Sequence, residues 1–534
     1  MLARVQSFVL TGIDASLCEV EVDLDEAGLG NGRKQPTLVG LPDAAVRESL
    51  ERVRAALVNG GYTLPWESIT VNLAPADIKK EGAVYELPIA IGMLVASGVI
   101  GRKRSASSLQ RRPGDADSEH APHWEAPDYR RYLFAGELAL DGRIRPVRGV
   151  IALAALAKQI GYQGVIVPAD NAPEGAVVEG IEVHGVRTLT EAVGLLNGAL
   201  EPAPLSPINV ASLIEESTAD LDFVDVRGQE AVKRAITVAA AGSHNLLMLG
   251  PPGTGKTMMA KALPGIIPLM SADEALEVTR VYSAAGKLIA GESGAPGLVT
   301  RRPVRTPHHT ASAVAVIGGG IVPKPGEISL AHHGVLFLDE LAEFPRNVLD
   351  TLRQPMEDGH VTIARSHASV RFPASFMLVA AMNPTPKGTM PDTDHGRREM
   401  DRYLARVSGP LIDRVDIHIE VPAVPWKQLS GEAKGTSSAQ MRERVLQARE
   451  RQRVRQGGRA NARLSGKDLD RHARMDDSAR TLLGQAITEL GLSARAYDKV
   501  RRVARTIADL EGSENLLTAH VAEAVQYRLL DRKV

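Results

Sequence analysis

An α/β protein of several domains is what this sequence predicts, on three observations. The segment GPPGTGKT, Gly250–Thr257, joins the apolar run Asn245–Leu249 to a helix-like stretch, which is the context a phosphate loop requires. Around it, from about Asp222 to Val421, apolar strand candidates alternate with helical segments in the manner of a parallel sheet. The block Gln440–Val534 has helical apolar spacing and no strand candidate.

At 534 residues the chain is too long for one hydrophobic core, so two or three domains follow. Its formal net charge of -1 excludes a general polyanion binder and confines any nucleic-acid site to a local patch or a pore. The single cysteine, Cys18, excludes an internal disulfide and a multi-cysteine metal site, and fits a reducing cytoplasm. The longest apolar stretch, Leu87–Ile100, is too short to span a bilayer and is broken by Pro88, Gly92 and Gly98. It reads as a buried helix of a soluble, cytoplasmic protein with no membrane partner.

Taken in order, RVQSFVLTG and SLCEVEVDL alternate polar and apolar residues and read as paired strands, followed by a turn at Gly28, Gly30 and Gly32. LPDAAVRESLERVRAALVNGG reads as a helix with Asp43 near its start and Gly60 and Gly61 past its end. SITVNLAP supplies another strand and Glu86–Ser97 another helix. Residues 101–131 are rich in Arg, Ser, Asp and Pro without periodicity, the composition of a surface insertion. RYLFAGELALDGRIRPVRG predicts a hairpin turning at Asp141 and Gly142, then a helix to Ile160, the strands GVIVP and IEVHGV, and a helix through Leu196. A Pro-rich linker, Glu201–Pro207, precedes the phosphate-loop domain.

The phosphate loop binds by backbone. Its glycines, Gly250, Gly253 and Gly255, with Pro251, Pro252 and Thr254, let successive N–H groups turn inward; Lys256 reaches the outer phosphates and the Thr257 hydroxyl ligates Mg2+. Downstream, GVLFLDEL is an apolar strand ending in two acids. Asp339 would hold the metal through water and Glu340 would polarise the water that attacks the terminal phosphate of ATP. SFMLVAAMNP ends at Asn383, placed to orient that water from a neighbouring strand tip.

These segments, with GPLIDRVDI, PHHTASAVAVIGGG, KPGEISLAHHGVLFLDEL, LRQPMEDGHVTIAR and SARAYDKVRRVARTIADL, resemble the magnesium-chelatase-like AAA+ ATPases, and within them the YifB/ComM family. The resemblance covers nearly the whole chain. It implies a Lon-protease-like, S5-like α+β domain over 1–200, a linker over 201–221, an AAA+ core over 222–425 and a helical lid over 438–534. It also implies that Arg414 is an arginine finger acting on an adjacent subunit's nucleotide, that Arg495 is a second sensor on a lid helix, and that Gly228 and Gln229 pack against adenine. A finger acting in trans requires a homo-oligomeric ring, with a hexamer as the expectation.

Two insertions that face the pore in this group correspond to Arg301–Gly320, with Arg301, Arg302, Arg305, His308 and His309, and to a hairpin tip at Arg365, Ser366 and His367. Basic tips in a pore track a phosphate backbone. The chain also departs from its relatives. Val84 and Ile151 stand where Lon enzymes carry the serine nucleophile and lysine base, so no proteolysis is expected. NPTPKGTMPDTDHGRREM lacks the cysteines that suit a zinc site in many relatives. The arginines of Ser438–Arg463 suit either a nucleic-acid contact or a solvated helix face. The expectation is an ATP-driven motor on single-stranded or branched DNA during recombination of incoming DNA. The alternatives are a remodeller acting on a protein partner and a regulatory ATPase.

Overall fold

The computed structural model describes residues 1–24, 36–64, 69–101, 124–215, 221–288, 294–295, 297–320, 323–364, 369–385, 403, 405–426 and 435–528. Most of the expected 101–131 insertion, the hairpin tip at Arg365, Ser366 and His367, and nearly all of the loop beyond Asn383 lie outside these residues. The chain forms two compact units. Met1–Leu213 with Ala275–Thr300 makes the first, and Ile214–Glu274 with Arg301–Val534 the second.

The first unit is built on a seven-stranded mixed sheet. Its order is Thr37–Val39, Ile69–Ala74, Asp14–Leu24, Leu2–Thr11, Tyr132–Phe134, Gly164–Pro168, Glu182–Val186. Leu2–Thr11 and Asp14–Leu24 pair antiparallel in full register, from Leu2 with Asp23 to Thr11 with Asp14. Burial fixes that register, because a one-residue slip would turn Val5, Val20 and Val22 to the other face. The predicted hairpin over 132–149 is different in the structure. Tyr132–Phe134 joins the main sheet parallel to Leu2–Thr11, and only Glu137–Leu138 pairs with Ile144–Arg145. All three residues of that first strand are buried, which suits a central parallel strand better than a solvated hairpin.

Helix Glu86–Ala96 is buried on every side, as an all-apolar helix must be. Gly92 allows its close approach to the sheet, since a Cβ there would stand 2.7 Å from Val22 Cγ2. The one acid at its start, Glu86, is fully buried and pairs with Arg52 at 2.6 Å. Helix Ala44–Asn59 starts as expected, with the Asp43 carboxylate accepting from the Val46 N–H.

The segment Ala275–Thr300 packs into this unit although it follows the phosphate loop in sequence. Polar contacts fasten it. Arg280 pairs with Asp14 at 2.6 Å, and the Ser283 hydroxyl accepts from the Gly149 N–H at 2.9 Å while donating to buried Glu174. Burial raises the Glu174 carboxyl above the usual carboxylate range, against hydrogen bonds from Ser283 and Ile151 N–H. Val84 is partly buried against the apolar clusters of this unit and Ile151 is 2% exposed, so both positions aligned with a protease dyad carry aliphatic packing side chains.

In the second unit five strands lie parallel in the order Val304–Arg305, Val335–Leu338, Met377–Met382, Leu246–Leu249, Ile417–Glu420. The strand that enters the phosphate loop therefore sits between the fourth and fifth in sequence. Such a reversal of strand order places a ligand crevice at the carboxyl ends of the strands. Helices Ser438–Gln456, Asp477–Leu490, Ala494–Glu511 and Thr518–Gln526 share one apolar cluster with the sheet, in which Val445, Leu483, Val503 and Ile507 join Met248, Phe337 and Val379. Among the described residues no helix is long and apolar enough to cross a membrane.

Replacing Gly92 by Leu drives several atoms into Val22 and the sheet, and overpacking of this kind costs about 3 kcal/mol. Chemical denaturation should show the loss as a lower transition midpoint. An unchanged midpoint would mean that the helix does not need its close approach.

Candidate functional site

The phosphate loop follows Leu249 at the carboxyl end of the strand Leu246–Leu249. Gly250 permits a backbone crossing, because a Cβ there would lie 2.2 Å from the Val421 carbonyl oxygen. Gly253 and Gly255 have φ of 79° and 86°, a left-handed conformation that a side chain strains. Thr254 donates its hydroxyl to the Pro251 carbonyl at 3.0 Å, and Pro252 is exposed at the rim.

Lys256 begins the helix Lys256–Ala262 and turns back over the loop. Its ammonium donates to the carbonyls of Gly250 at 2.7 Å and Pro251 at 2.8 Å, and to Asn383 Oδ1 at 3.3 Å. Burial lowers its pKa from the ordinary lysine value, opposed by the charge of Asp339. Thr257 Oγ1 donates to Asp339 Oδ2 at 2.7 Å, and the Glu340 N–H donates to Asp339 Oδ1 at 3.0 Å. Three strand ends thus converge on one place: Gly250, Asp339 and Asn383 each follow directly on Leu249, Leu338 and Met382. A hydroxyl and a carboxylate in contact are hard oxygen donors, the type that suits Mg2+.

Glu340 has φ of 53° and an exposed carboxylate. His309 stands beside it, with Nδ1 3.3 Å from Glu340 Oε2, its ring stacked 4.1 Å from that of His308 and edge-on to Phe344. Gly228 and Gln229 are at the same end of the sheet. Gln229 donates to the Pro422 carbonyl at 2.7 Å, one residue beyond the Val421 that crosses Gly250. Close by in the chain, a cleft of about 490 Å³ is lined by Ala231, Ile419, Glu420, Gln526 and Tyr527, together with Arg234 and Glu523, which pair at 2.9 Å. No sequence motif marks that cleft, because it is assembled from a helix, a strand end and the last lid helix.

Arg414 lies at the opposite end. It precedes the strand Ile417–Glu420, and its carbonyl accepts from Asn245, the residue before the strand Leu246–Leu249. Four strand residues at about 3.3 Å each put roughly 13 Å of sheet between it and its own phosphate loop. Its guanidinium pairs with Glu357 at 2.8 Å and donates to the Pro410 carbonyl at 2.8 Å. Arg495 is exposed in the first turn of helix Ala494–Glu511. One turn along, Lys499 pairs at 2.6 Å with Asp416, which again precedes the strand Ile417–Glu420. The helix is therefore tied to the Arg414 end of the sheet.

The candidate nucleic-acid residues divide. Arg301 and His308 are exposed. Arg302 is committed to architecture, donating to the carbonyls of Pro268 and His333 at 2.6 Å and pairing with Glu274 at 2.8 Å. Arg305 forms a two-pronged pair with Glu327 at 2.6 and 3.0 Å. Both guanidiniums are thus engaged by groups of the same unit, Arg302 by Pro268, His333 and Glu274 and Arg305 by Glu327. Arg365 and His367 fall outside the described residues. In the arginine-rich helix, Arg449 is buried against the Ala240 carbonyl and Ser243, and Arg455 pairs with Asp509 at 2.5 Å. Arg444, Arg451 and Arg453 of the same helix are exposed, while Met441, Val445 and Ala448 face the core.

Three family models match stretches of the chain. Residues 222–429 match "Magnesium chelatase, subunit ChlI", residues 435–528 its C-terminal region, and residues 20–109 and 121–171 "Subunit ChlI of Mg-chelatase". The chain is 44% identical to competence protein ComM of Haemophilus influenzae, over 99% of this chain and 98% of that protein. It is 41% identical to protein YifB of Escherichia coli with the same coverage. It is 24% identical to the magnesium-chelatase 38 kDa subunit of Chlorobaculum parvum, over 56% of this chain and 87% of that subunit. With full-length likeness to ComM and YifB and matches to the chelatase models on both sides of the phosphate loop, the chain belongs to the magnesium-chelatase-like ComM/YifB family of AAA+ proteins.

Proposed function

We propose that this chain is an ATP-hydrolysing, ring-forming motor that moves on DNA and remodels branched intermediates in the recombination of incoming DNA. The observation that carries the reading is the separation of two half-sites. Lys256, Thr257, Asp339 and Asn383 meet at one end of the sheet, whereas Arg414 stands at the other. A chain built this way has a binding half and an arginine half that cannot meet within one subunit. Placed side by side in a ring, each subunit presents Arg414 to the next subunit's phosphates, and the tie between Lys499 and Asp416 puts Arg495 on that same face.

In this reading the loop backbone and Lys256 bind the phosphates of ATP. Thr257 and Asp339 would hold Mg2+, which when bound neutralises charge on the phosphates. Glu340 accepts the proton of the attacking water and Asn383 orients that water. The cleft between Ala231 and the last lid helix receives the base, with Ile419 and Tyr527 offering apolar contact. DNA as the track is supported by the likeness to a competence protein and by the exposed Arg301 and His308 of the insertion. The ring is read as a hexamer in the cytoplasm.

Glu340→Gln is expected to bind ATP and to lose turnover, as read by nucleotide-binding titration beside steady-state phosphate release. Arg414→Ala should keep ATP affinity while turnover falls by about 10³-fold or more. Normal turnover in Arg414→Ala would end the trans-finger reading. ATPase measured with single-stranded, duplex and four-way-junction DNA should rise with DNA. If the rate rises only with an added protein, the remodeller reading takes its place.

A further inference from the structure

The two arginines of the proposed trans half-site are joined by a buried polar network. Asp416 lies two residues after Arg414 and is 6% exposed. Its Oδ1 accepts from Lys499 Nζ at 2.6 Å, and its Oδ2 accepts from the Asn245 N–H at 3.1 Å and lies 3.6 Å from His244 Nδ1. His244 is fully buried and its Nε2 is 2.7 Å from the Thr506 hydroxyl, two turns along the helix from Lys499. Asn461 donates to the same hydroxyl at 3.1 Å and to Asp509 at 2.8 Å. Arg528 donates to the Val415 carbonyl at 2.6 Å, which holds the strand entry from a further side.

A surface ion pair would fix little, because solvent screens it and its side chains remain mobile. This one is enclosed. Burial alone would raise the Asp416 carboxyl, yet Lys499 and His244 outweigh it and hold the group far below the carboxylate range, so it stays charged. An enclosed carboxylate with partners on the strand entry, on the preceding loop and on the lid helix has one low-energy placement for all three. Arg414 and Arg495 each lie within about one helical turn's length of chain from an end of the Asp416–Lys499 pair.

We propose that Asp416 is a positioning residue which, through Lys499 and His244, locks the Arg414 segment to the lid helix so that Arg414 and Arg495 are presented to a neighbouring subunit as one rigid pair. The inference rests on the trans reading above. It makes the helical block a brace for catalysis by the next subunit as well as part of its own subunit's core.

The test is subunit mixing. Asp416→Asn keeps its own phosphate loop but should present its arginines poorly. Alone, its turnover should fall by about tenfold or more with the KM for ATP little changed. Glu340→Gln subunits cannot hydrolyse but carry intact arginines. Mixed before assembly, the two should recover hydrolysis well above the average of the separate proteins, since Asp416→Asn sites then face intact arginines. Arg414→Ala mixed with Glu340→Gln serves as the reference. Recovery with Arg414→Ala but not with Asp416→Asn overturns the positioning role and leaves the trans finger standing. Recovery with neither overturns both. If Asp416→Asn fails to fold, because Lys499 is left as a buried uncompensated charge, the double variant Asp416→Asn/Lys499→Met removes both charges and takes its place in the mixture. Full turnover of that double variant alone would also overturn the proposal.

Discussion

Pairing of the strand Leu246–Leu249 with Met377–Met382 on one side and Ile417–Glu420 on the other is the constraint on which the second unit depends. Because all these strands run parallel, their carboxyl ends lie together. Gly250 can cross the Val421 carbonyl only without a side chain, and the crossing brings the phosphate loop over the ends of three strands. Lys256 then reaches Asn383, and Thr257 reaches Asp339, across 127 and 82 residues of sequence. The same parallel arrangement collects the amino-terminal ends, with Asn245, Arg414 and Asp416, on the far edge. One topological fact therefore gathers Lys256, Thr257, Asp339 and Asn383 at one end of the sheet and keeps Arg414 and Asp416 at the other.

Buried charge divides the arginines and acids of this chain into two populations. Arg302, Arg449 and Arg505 are enclosed, and burial is the leading influence lowering each below the ordinary arginine value. Such groups must be satisfied by carbonyls or carboxylates, as Arg505 is by Asp509 and the carbonyls of Ser513 and Glu514. Exposed groups such as Arg495 stay in water and keep their hydration. A basic stretch in a sequence does not separate the two populations. Burial does.

The first unit uses its polar residues as fasteners. Glu86, Glu174 and Asn171 are buried and each satisfies a backbone N–H of a neighbouring element, at Leu138, Ile151 and Val147. Val84 and Ile151 themselves are aliphatic, so neither position offers a nucleophile or a base. Ser283, which arrives from beyond the phosphate loop, is part of that fastening.

Local signals determined much of this protein. The alternation in Leu2–Thr11 and Asp14–Leu24, the cap at Asp43, the all-apolar Glu86–Ala96 and the phosphate loop each depend on residues close in sequence, and each was legible. The strand ends at Asp339 and Asn383 were legible for the same reason. Other features were decided by tertiary structure because their partners are remote. Tyr132–Phe134 left its expected hairpin for a buried parallel strand. Ala275–Thr300 joined the first unit through Asp14, Gly149 and Glu174. Arg302 and Arg305 became internal ties, and the cleft at Ile419 and Tyr527 took shape between elements more than a hundred residues apart. Asp416 shows the limit most plainly. Beside Arg414 it reads as one more acid in a polar loop, and only burial against Lys499 and His244, 83 and 172 residues away, makes it the hub of a network.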